Sequence, residues 1–345
     1  MSQFQIINRA YIESLTAKRD KETKLGETVQ CCENDRWEDC LLQSAAKFIL
    51  IGIPEDIGVR ANLGVGGTAS LWQPALKSLL NVQDTEKLNG RELLVLGYFD
   101  FKEWMKEAEY ENIETLRRRV AAIDDEVFPV IEKIVAADKI PIIIGGGHNN
   151  AYPILKGISR AKKAAVNCVN IDAHSDYRAI EGRHSGNGFR YAKMDGYLKH
   201  YVMLGLHENY NSRSVMETIN LDKELRYYTY EDLFVHENIS CKSALDKASH
   251  FLRKKCMGVE LDLDCITNVL SSAATPCGIT HLQARKFITH FATFNSVGYL
   301  HITEGATVMA DGRQDMMTAK FVAYLVTDFI KAFSKKQTVF LGAED

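Results

Sequence analysis

The chain has 345 residues, of which 46% are hydrophobic and 25% are charged, and its formal net charge is −3. This composition is typical of a globular protein and excludes disordered, collagen-like and coiled-coil chains. The near balance of 42 basic and 45 acidic residues also argues against a general nucleic-acid binder, whose affinity depends on neutralising phosphates.

Residues 1–45 are polar and rich in charge, and we interpret them as a helical or loosely packed N-terminal extension. Residues 46–345 alternate short β-branched runs with stretches of helical periodicity, which predicts a single α/β domain. The predicted strands are 48–52, 93–97, 140–145, 165–171, 201–205, 257–261 and 297–302. The predicted helices include 113–137, 242–254, 280–292 and 316–334. Because the strands are apolar on both faces, we expect a mostly parallel sheet between two helical layers, a three-layer α-β-α arrangement.

The N-terminus lacks the basic start and apolar run of a secretory signal, and no stretch approaches the roughly 18 apolar residues that span a bilayer. None of the eight cysteines forms a Cys-x-x-Cys pair. Cys31, Cys32 and Cys40 lie close together in the sequence, but no nearby histidine completes a metal site. We therefore predict a cytoplasmic protein with no membrane and no nucleic-acid partner.

Three segments place acidic and imidazole side chains where predicted strands end. They are Gly-Gly-Gly-His148, Asp172-Ala-His174-Ser-Asp176 and Asp262-Leu-Asp264. Side chains alternate along an extended chain, so Asp172, His174 and Asp176 can point to one side, and the two later aspartates can do the same. Open parallel sheets bind ligands at the carboxyl ends of their strands, so we expect the three segments to form one site.

The charges of these segments predict a pair of metal ions. Asp172, Asp176, Asp262 and Asp264 contribute −4, and His148 and His174 are neutral donors, so two divalent cations would balance the site. Ligation by oxygen and imidazole without thiolate favours Mn²⁺, and it leaves zinc, iron and cobalt open. Two such ions roughly 3.5–4 Å apart can share a water and lower its pKa, which supplies hydroxide at neutral pH. This chemistry is that of a hydrolase.

From about residue 48 onward, these motifs resemble those of the arginase/agmatinase/formimidoylglutamase superfamily, the ureohydrolases, in order and spacing. The resemblance implies an arginase-like fold and a binuclear manganese centre. It implies that one Mn²⁺ is held by His148, Asp172, Asp176 and Asp262, and the other by Asp172, His174, Asp262 and Asp264. It further implies that Glu304, in His301-Ile-Thr-Glu304-Gly, binds the guanidinium or amidinium group of the substrate.

Several details favour the formimidoylglutamase branch. Gly147 and Asn149 flank His148 where the superfamily usually has Gly-Gly-Asp-His-Ser, and Asp264 is followed by Cys-Ile-Thr-Asn rather than Gly-x-Asp-Pro. The loop 58–67 and the stretch 185–190 also resemble that branch. Phe189 stands where arginases have a histidine thought to shuttle protons, so His184 is left as a candidate for that role.

The resemblance therefore implies hydrolysis of N-formimidoyl-L-glutamate to L-glutamate and formamide, a step of histidine degradation. Asp176 would orient the nucleophile and pass its proton to the departing amine. The candidate substrate contacts are Arg60, Asn62, Arg178, Ser185, Asn187, Arg190 and Glu304. Among them, the three arginines would hold the carboxylates of the glutamate.

The alternatives are another ureohydrolase, a catalytically silent metal-binding homologue and a two-metal phosphoesterase. An acidic pocket wall would favour agmatine as the substrate. Six intact ligands argue against the silent homologue, and the missing basic phosphate clamp argues against the phosphoesterase. Glu260 stands where the superfamily commonly has serine, as an extra acid near the metals or as the partner of a nearby Arg or Lys. A homo-oligomer also stays open.

Overall fold

A ten-stranded sheet forms the centre of the protein in a computed structural model that describes residues 3–33, 36–294 and 296–341. The strands are β1 Phe4–Ile6, β2 Gln30–Cys31, β3 Phe48–Gly52, β4 Leu93–Phe99, β5 Ile140–Ile144, β6 Val166–Ile171, β7 Leu198–Leu206, β8 Leu225–Thr229, β9 Met257–Asp262 and β10 Val297–Thr303. Their order in the sheet is β1-β4-β3-β5-β10-β9-β6-β7-β8, and β2 pairs with β4. The short β1 runs antiparallel to β4, whereas the other neighbours pair in parallel.

Helices cover both faces of this sheet. They are α1 Arg9–Leu15, α2 Leu25–Thr28, α3 Trp37–Gln43, α4 Ile57–Ala61, α5 Trp72–Leu80, α6 Lys102–Glu107, α7 Ile113–Ala136, α8 Ala151–Lys162, α9 Gly188–Met194, α10 Arg213–Leu221, α11 Cys241–Leu252, α12 His281–Ala292 and α13 Met317–Leu341. Strand side chains alternate between two buried clusters. Leu50 belongs to the cluster that includes side chains of α5, α11, α12 and α13, whereas Ile49 and Ile51 belong to the cluster that includes side chains of α7 to α10. The predicted three-layer α/β fold is therefore confirmed.

The interior strands match the prediction closely, and the strands that the prediction missed lie at the edges of the sheet. β1 and β8 are the two ends of the strand order, and β2 lies beside it. β8 is only partly buried along its length. An edge strand faces solvent on part of its surface, so it lacks the continuous apolar run that identifies a buried parallel strand.

Part of the N-terminal segment packs in the core of the domain. Ile7, Ile12 and Leu25 are buried in the same cluster as α5 and α13. The division into an extension over 1–45 and a catalytic domain over 46–345 stays a prediction. Within the described ranges, no helix combines the length and the apolar character needed to cross a membrane.

The strand order also determines where a site can form. β5, β10, β9 and β6 are consecutive neighbours, and all four run in the same direction. Ile144 pairs with Ile302, and Thr303 pairs with Asp262, so these strands end at nearly the same level. The loops that follow these four strands therefore meet at the carboxyl-terminal end of the sheet, which is the edge where the strands finish.

Helices α7 and α8 pack closely, and the lack of a side chain at Gly157 makes this possible. A Cβ atom there would lie 2.6 Å from the carbonyl oxygen of Phe128 and 2.8 Å from Cβ of Ile131. In a free helix, Gly→Ala is stabilising by about 1 kcal/mol. Here we expect the clash to dominate, so that Gly157→Ala lowers the free energy of unfolding by about 1–3 kcal/mol. Urea unfolding measures this change, and an increase in stability would contradict the close packing.

Candidate metal centre

A sharp turn after β5 places His148 at the edge of the sheet. Gly145 and Gly146 have backbone φ angles of +92° and +79°, which residues other than glycine rarely adopt. A Cβ atom on Gly146 would also lie 2.8 Å from the carbonyl oxygen of Ile53. The glycine triplet thus turns the chain back over the sheet, where His148 is completely buried.

Four side chains form the first ligand group, which consists of His148, Asp172, Asp176 and Asp262. Nδ1 of His148 lies 2.8 Å from Oδ2 of Asp176, 3.1 Å from Oδ2 of Asp262 and 3.3 Å from Oδ2 of Asp172. The ligand atoms of the group all lie within 4.8 Å of one another. One cation could therefore contact all four.

The second ligand group consists of Asp172, His174 and Asp264. Nδ1 of His174 lies 3.2 Å from Oδ2 of Asp264 and 3.6 Å from Oδ1 of Asp172. Asp172 thus faces the first group with one oxygen and the second group with the other. The second oxygen of Asp262 accepts the backbone N–H of Asp264 at 2.7 Å, so Asp262 lies between the two groups.

The electrostatics of both groups favour cations. Burial and the charge of Asp172 raise the pKa of Asp176 to about 6, and burial and Asp264 raise the pKa of Asp262 well above its usual value. Burial alone would lower the pKa of His148, but its contacts with these carboxylates raise it well above the usual range. Oδ1 of Asp264 is buried with no hydrogen-bond partner among the described residues. Imidazole nitrogens, carboxylate oxygens and this free oxygen together fit divalent cations such as Mn²⁺.

Glu304 follows β10 and lines a cavity of about 540 Å³ above the two ligand groups. Its φ angle is +61°, which is strained for a residue other than glycine. Its backbone N–H donates to the carbonyl of Gly146, and its Oε1 accepts the backbone N–H of His148 at 2.8 Å. Burial and the charges of Asp264 and Asp176 raise the pKa of Glu304 to about 8. The backbone therefore holds this carboxyl group rigidly at the cavity wall.

The other predicted substrate contacts divide into two sets. Asn62, Arg178 and Ser185 line the cavity, whereas Arg60, Asn187 and Arg190 do not. Nη1 of Arg178 donates to Oδ1 of Asn62 at 2.7 Å, and Nδ2 of Asn62 donates to Oγ of Ser185 at 3.3 Å. Arg178 is the arginine that the fold brings to the cavity wall.

The remaining two arginines have partners elsewhere. Nε of Arg60 lies 3.0 Å from Asp56, and its Nη2 donates to the carbonyl of Met105. The Arg190 guanidinium lies over the ring of Tyr177 at 5.8 Å. Their roles in substrate binding stay predictions without a direct contact to the cavity.

The predicted roles of His184 and Asn187 at the active site likewise stay predictions. Nδ1 of His184 accepts the backbone N–H of Gly186, and its Nε2 lies 3.1 Å from Oε1 of Glu181. Burial lowers the pKa of His184 to about 4. Oδ1 of Asn187 accepts hydrogen bonds from Arg183 and from the backbone N–H of His184. Both side chains thus stabilise their own loop.

The sequence analysis did not identify two residues that lie near the site. Tyr210 lines the cavity and stacks on His174, with ring centroids 5.3 Å apart and an interplanar angle of 15°. Glu55, after β3, is buried, and its carboxylate accepts four N–H donors at 2.8–3.2 Å, from Gly58, Gly147, Asn149 and Asn150. Two adjacent buried amides after His148 require an acceptor, and this requirement is the signal that could have indicated Glu55.

Comparison with known proteins agrees with this geometry. The sequence model of the Arginase family matches residues 46–330. The formimidoylglutamase of Macrococcus caseolyticus is 26% identical over 225 residues, which cover 64% of this chain and 69% of that protein. The fold is similar to that of a Trypanosoma cruzi formiminoglutamase solved with Mn²⁺, with a TM-score of 0.71 at 18% identity over 92% of this chain and 100% of that one. It is also similar to the formimidoylglutamase of Bacillus subtilis, with a TM-score of 0.74 at 17% identity over 92% and 94% of the two chains.

The carboxylate of Glu55 supports the loop that carries His148, and this support can be tested. We expect Glu55→Gln to lower the free energy of unfolding by about 1–3 kcal/mol, because buried N–H donors then face an amide NH₂. Urea unfolding of the metal-free protein measures the effect. Glu217→Gln on the exposed surface of α10 is the control, expected to stay within about 0.5 kcal/mol of the parent. Equal stability of the two variants would contradict the role of Glu55.

Proposed function

The chain belongs to the arginase family, and we propose that it is a metal-dependent hydrolase that cleaves the C–N bond of a linear amidine. The observation that carries the proposal is the convergence of two imidazoles and four carboxylates into two ligand groups that share Asp172. The similarity to the Macrococcus caseolyticus formimidoylglutamase supports N-formimidoyl-L-glutamate as the substrate and L-glutamate and formamide as the products. A cytoplasmic location and a small-molecule partner are part of the same proposal.

In this proposal the first ligand group, His148, Asp172, Asp176 and Asp262, would hold one Mn²⁺. The second group, Asp172, His174 and Asp264, would hold the other, and Asp262 lies close enough to contribute to both. The structure of the Trypanosoma cruzi protein with Mn²⁺ supports this choice of metal. Two bound ions would supply a water of lowered pKa as the nucleophile.

Two acidic residues have separate roles in the proposed reaction. Glu304 binds the amidinium end of the substrate. Its fixed position at the cavity wall, where it accepts the backbone N–H of His148, supports this role. Asp176 accepts a proton from the nucleophile and transfers it to the nitrogen of the leaving amine as the C–N bond breaks. Its place both in the first ligand group and on the cavity wall supports this role.

Arg178 is the proposed partner of a substrate carboxylate. Its side chain is about half exposed on the cavity wall, at 52%, and its planar guanidinium suits a carboxylate group. Glu181 lies 3.6 Å from Nη2 of Arg178 and partly offsets its charge. One arginine on the wall would also suit a guanidino substrate with a single carboxylate, such as arginine, which is the second candidate.

A product screen of the Mn²⁺-loaded protein tests the function. We expect release of glutamate and formamide from N-formimidoyl-L-glutamate, and no urea from arginine or agmatine. Asp172→Asn is the matched inactive variant, expected to lose more than about 100-fold in rate because both ligand groups lose a shared carboxylate. Urea from arginine would favour the second candidate instead. No turnover of any amidine with two metals bound would refute the enzymatic proposal.

The position of Arg178 gives a second kinetic prediction. We expect Arg178→Ala to raise KM about 10- to 100-fold with a smaller change in kcat, because a charge-assisted hydrogen bond contributes about 1.5–3 kcal/mol. Arg190→Ala, measured beside it, should change KM less. A larger effect of Arg190→Ala would show that Arg190 and not Arg178 binds the carboxylate. Lys242→Ala, on the exposed surface of α11, controls for a general effect of lost positive charge.

A further inference from the structure

A buried carboxylate lies next to His148, on the side of its ring that faces away from the aspartates. Glu260 belongs to β9, two residues before Asp262, and is completely buried. Its Oε2 lies 3.4 Å from Nε2 of His148, the ring nitrogen opposite the one that faces the aspartates. The partner that sequence reasoning left open is therefore neither an arginine nor a lysine.

Two further side chains hold Glu260 in place. Tyr299 donates its hydroxyl to Oε1 of Glu260 at 2.6 Å, and Nδ1 of His301 lies 2.6 Å from Oε2. Both come from β10, where His301 pairs directly with Glu260 across the two strands. The sheet register thus fixes the position of this carboxylate.

His301 has a second polar contact besides Glu260. Its second ring nitrogen, Nε2, lies 3.5 Å from the carbonyl oxygen of Gly145. Both ring nitrogens of His301 thus lie near oxygens that can accept a hydrogen bond. Tyr299 and His301 together give each oxygen of the buried Glu260 carboxylate a polar partner.

The geometry has a direct consequence for His148. A histidine that binds a metal through Nδ1 must carry its proton on Nε2. Nε2 of His148 has no hydrogen-bond partner within the part of the chain that the structure describes, and Glu260 is the acceptor it faces. Carboxylates that accept the far N–H of a ligating histidine fix its tautomer and orientation and strengthen metal binding.

We propose that Glu260, held by His301 and Tyr299, is a positioning residue that keeps His148 in the Nδ1-ligating form and so increases the Mn²⁺ affinity of the first ligand group. This inference rests on the metal site of the proposed function. The competing interpretation is that the three residues only hold β9 and β10 together. The two interpretations differ in what happens when metal is added.

Calorimetric titration of the metal-free, full-length protein with MnCl₂ tests the proposal. For the parent protein we expect two bound Mn²⁺ per chain. For Glu260→Gln we expect one of the two to bind about 10- to 100-fold more weakly, the usual effect of losing such a partner, while the other changes less. Glu217→Gln is the surface control for the same change of side chain and should match the parent.

Thermal unfolding with and without Mn²⁺ separates positioning from simple support. We expect Glu260→Gln to reduce the rise in Tm that Mn²⁺ produces. A purely structural role would lower the two Tm values equally and leave that rise unchanged. Tyr299→Phe removes the Oε1 hydrogen bond but keeps the carboxylate behind His148, so we expect less than about a threefold loss of affinity.

The outcomes are distinct. If Glu260→Gln binds two Mn²⁺ with unchanged affinity, or loses stability equally with and without metal, the positioning role is wrong. If Glu260→Gln does not fold, His301→Gln takes its place, because it removes the imidazole that contacts Glu260, and unchanged Mn²⁺ binding there is equally decisive against the proposal. If the parent protein binds no Mn²⁺, the metal site of the proposed function is refuted and the inference fails with it.

Discussion

The repulsion among buried aspartates at one edge of the sheet is the constraint on which the rest of the site depends. Two unit charges 4 Å apart interact by about 4 kcal/mol at the effective dielectric constant of a protein. Within the described residues, the ion pairs of the four aspartates are with His148 and His174, not with lysine or arginine. Among the described residues, no lysine or arginine balances the charge of these aspartates, and divalent cations are the simplest counter-charge.

Two further acids support His148 from different sides, and each is stabilised in a different way. Glu55 receives four amide N–H donors and holds the backbone of the His148 loop. Glu260 accepts a hydrogen bond from the hydroxyl of Tyr299 and contacts the imidazole of His301. It lies next to Nε2 of the His148 ring. Neither is among the residues that line the cavity, so both lie outside its wall. The ligand groups can then carry the negative charge that a metal requires, while the surrounding acids only position His148.

The sequence predicted the parts of the structure that depend on local pattern. β3, β5, β6, β9 and β10 were predictable because a strand buried on both faces is a continuous apolar run. The six candidate ligands were predictable because each lies at or shortly after the end of a parallel strand, and the structure brings them together. The residues of the cavity wall were not predictable, because the conformation of the loops decides which of their side chains point into the cavity. Arg60 and Arg178 are equally plausible in the sequence, and the fold pairs the first with Asp56.

The distribution of charge in the cavity also restricts the kind of substrate. Asp176 and Asp264 of the ligand groups line the cavity together with Glu304, whereas Arg178 lies on its partly exposed wall. A substrate with a cationic reacting carbon and an anionic tail would be oriented by this polarity, with the amidinium toward the acids and a carboxylate toward Arg178. A phosphoester would bring further negative charge beside Glu304, whose ionised form is already disfavoured by burial and by Asp264 and Asp176, whereas an amidinium would stabilise that form. The position of Glu304 thus favours amidine over phosphoester hydrolysis for physical reasons independent of family membership.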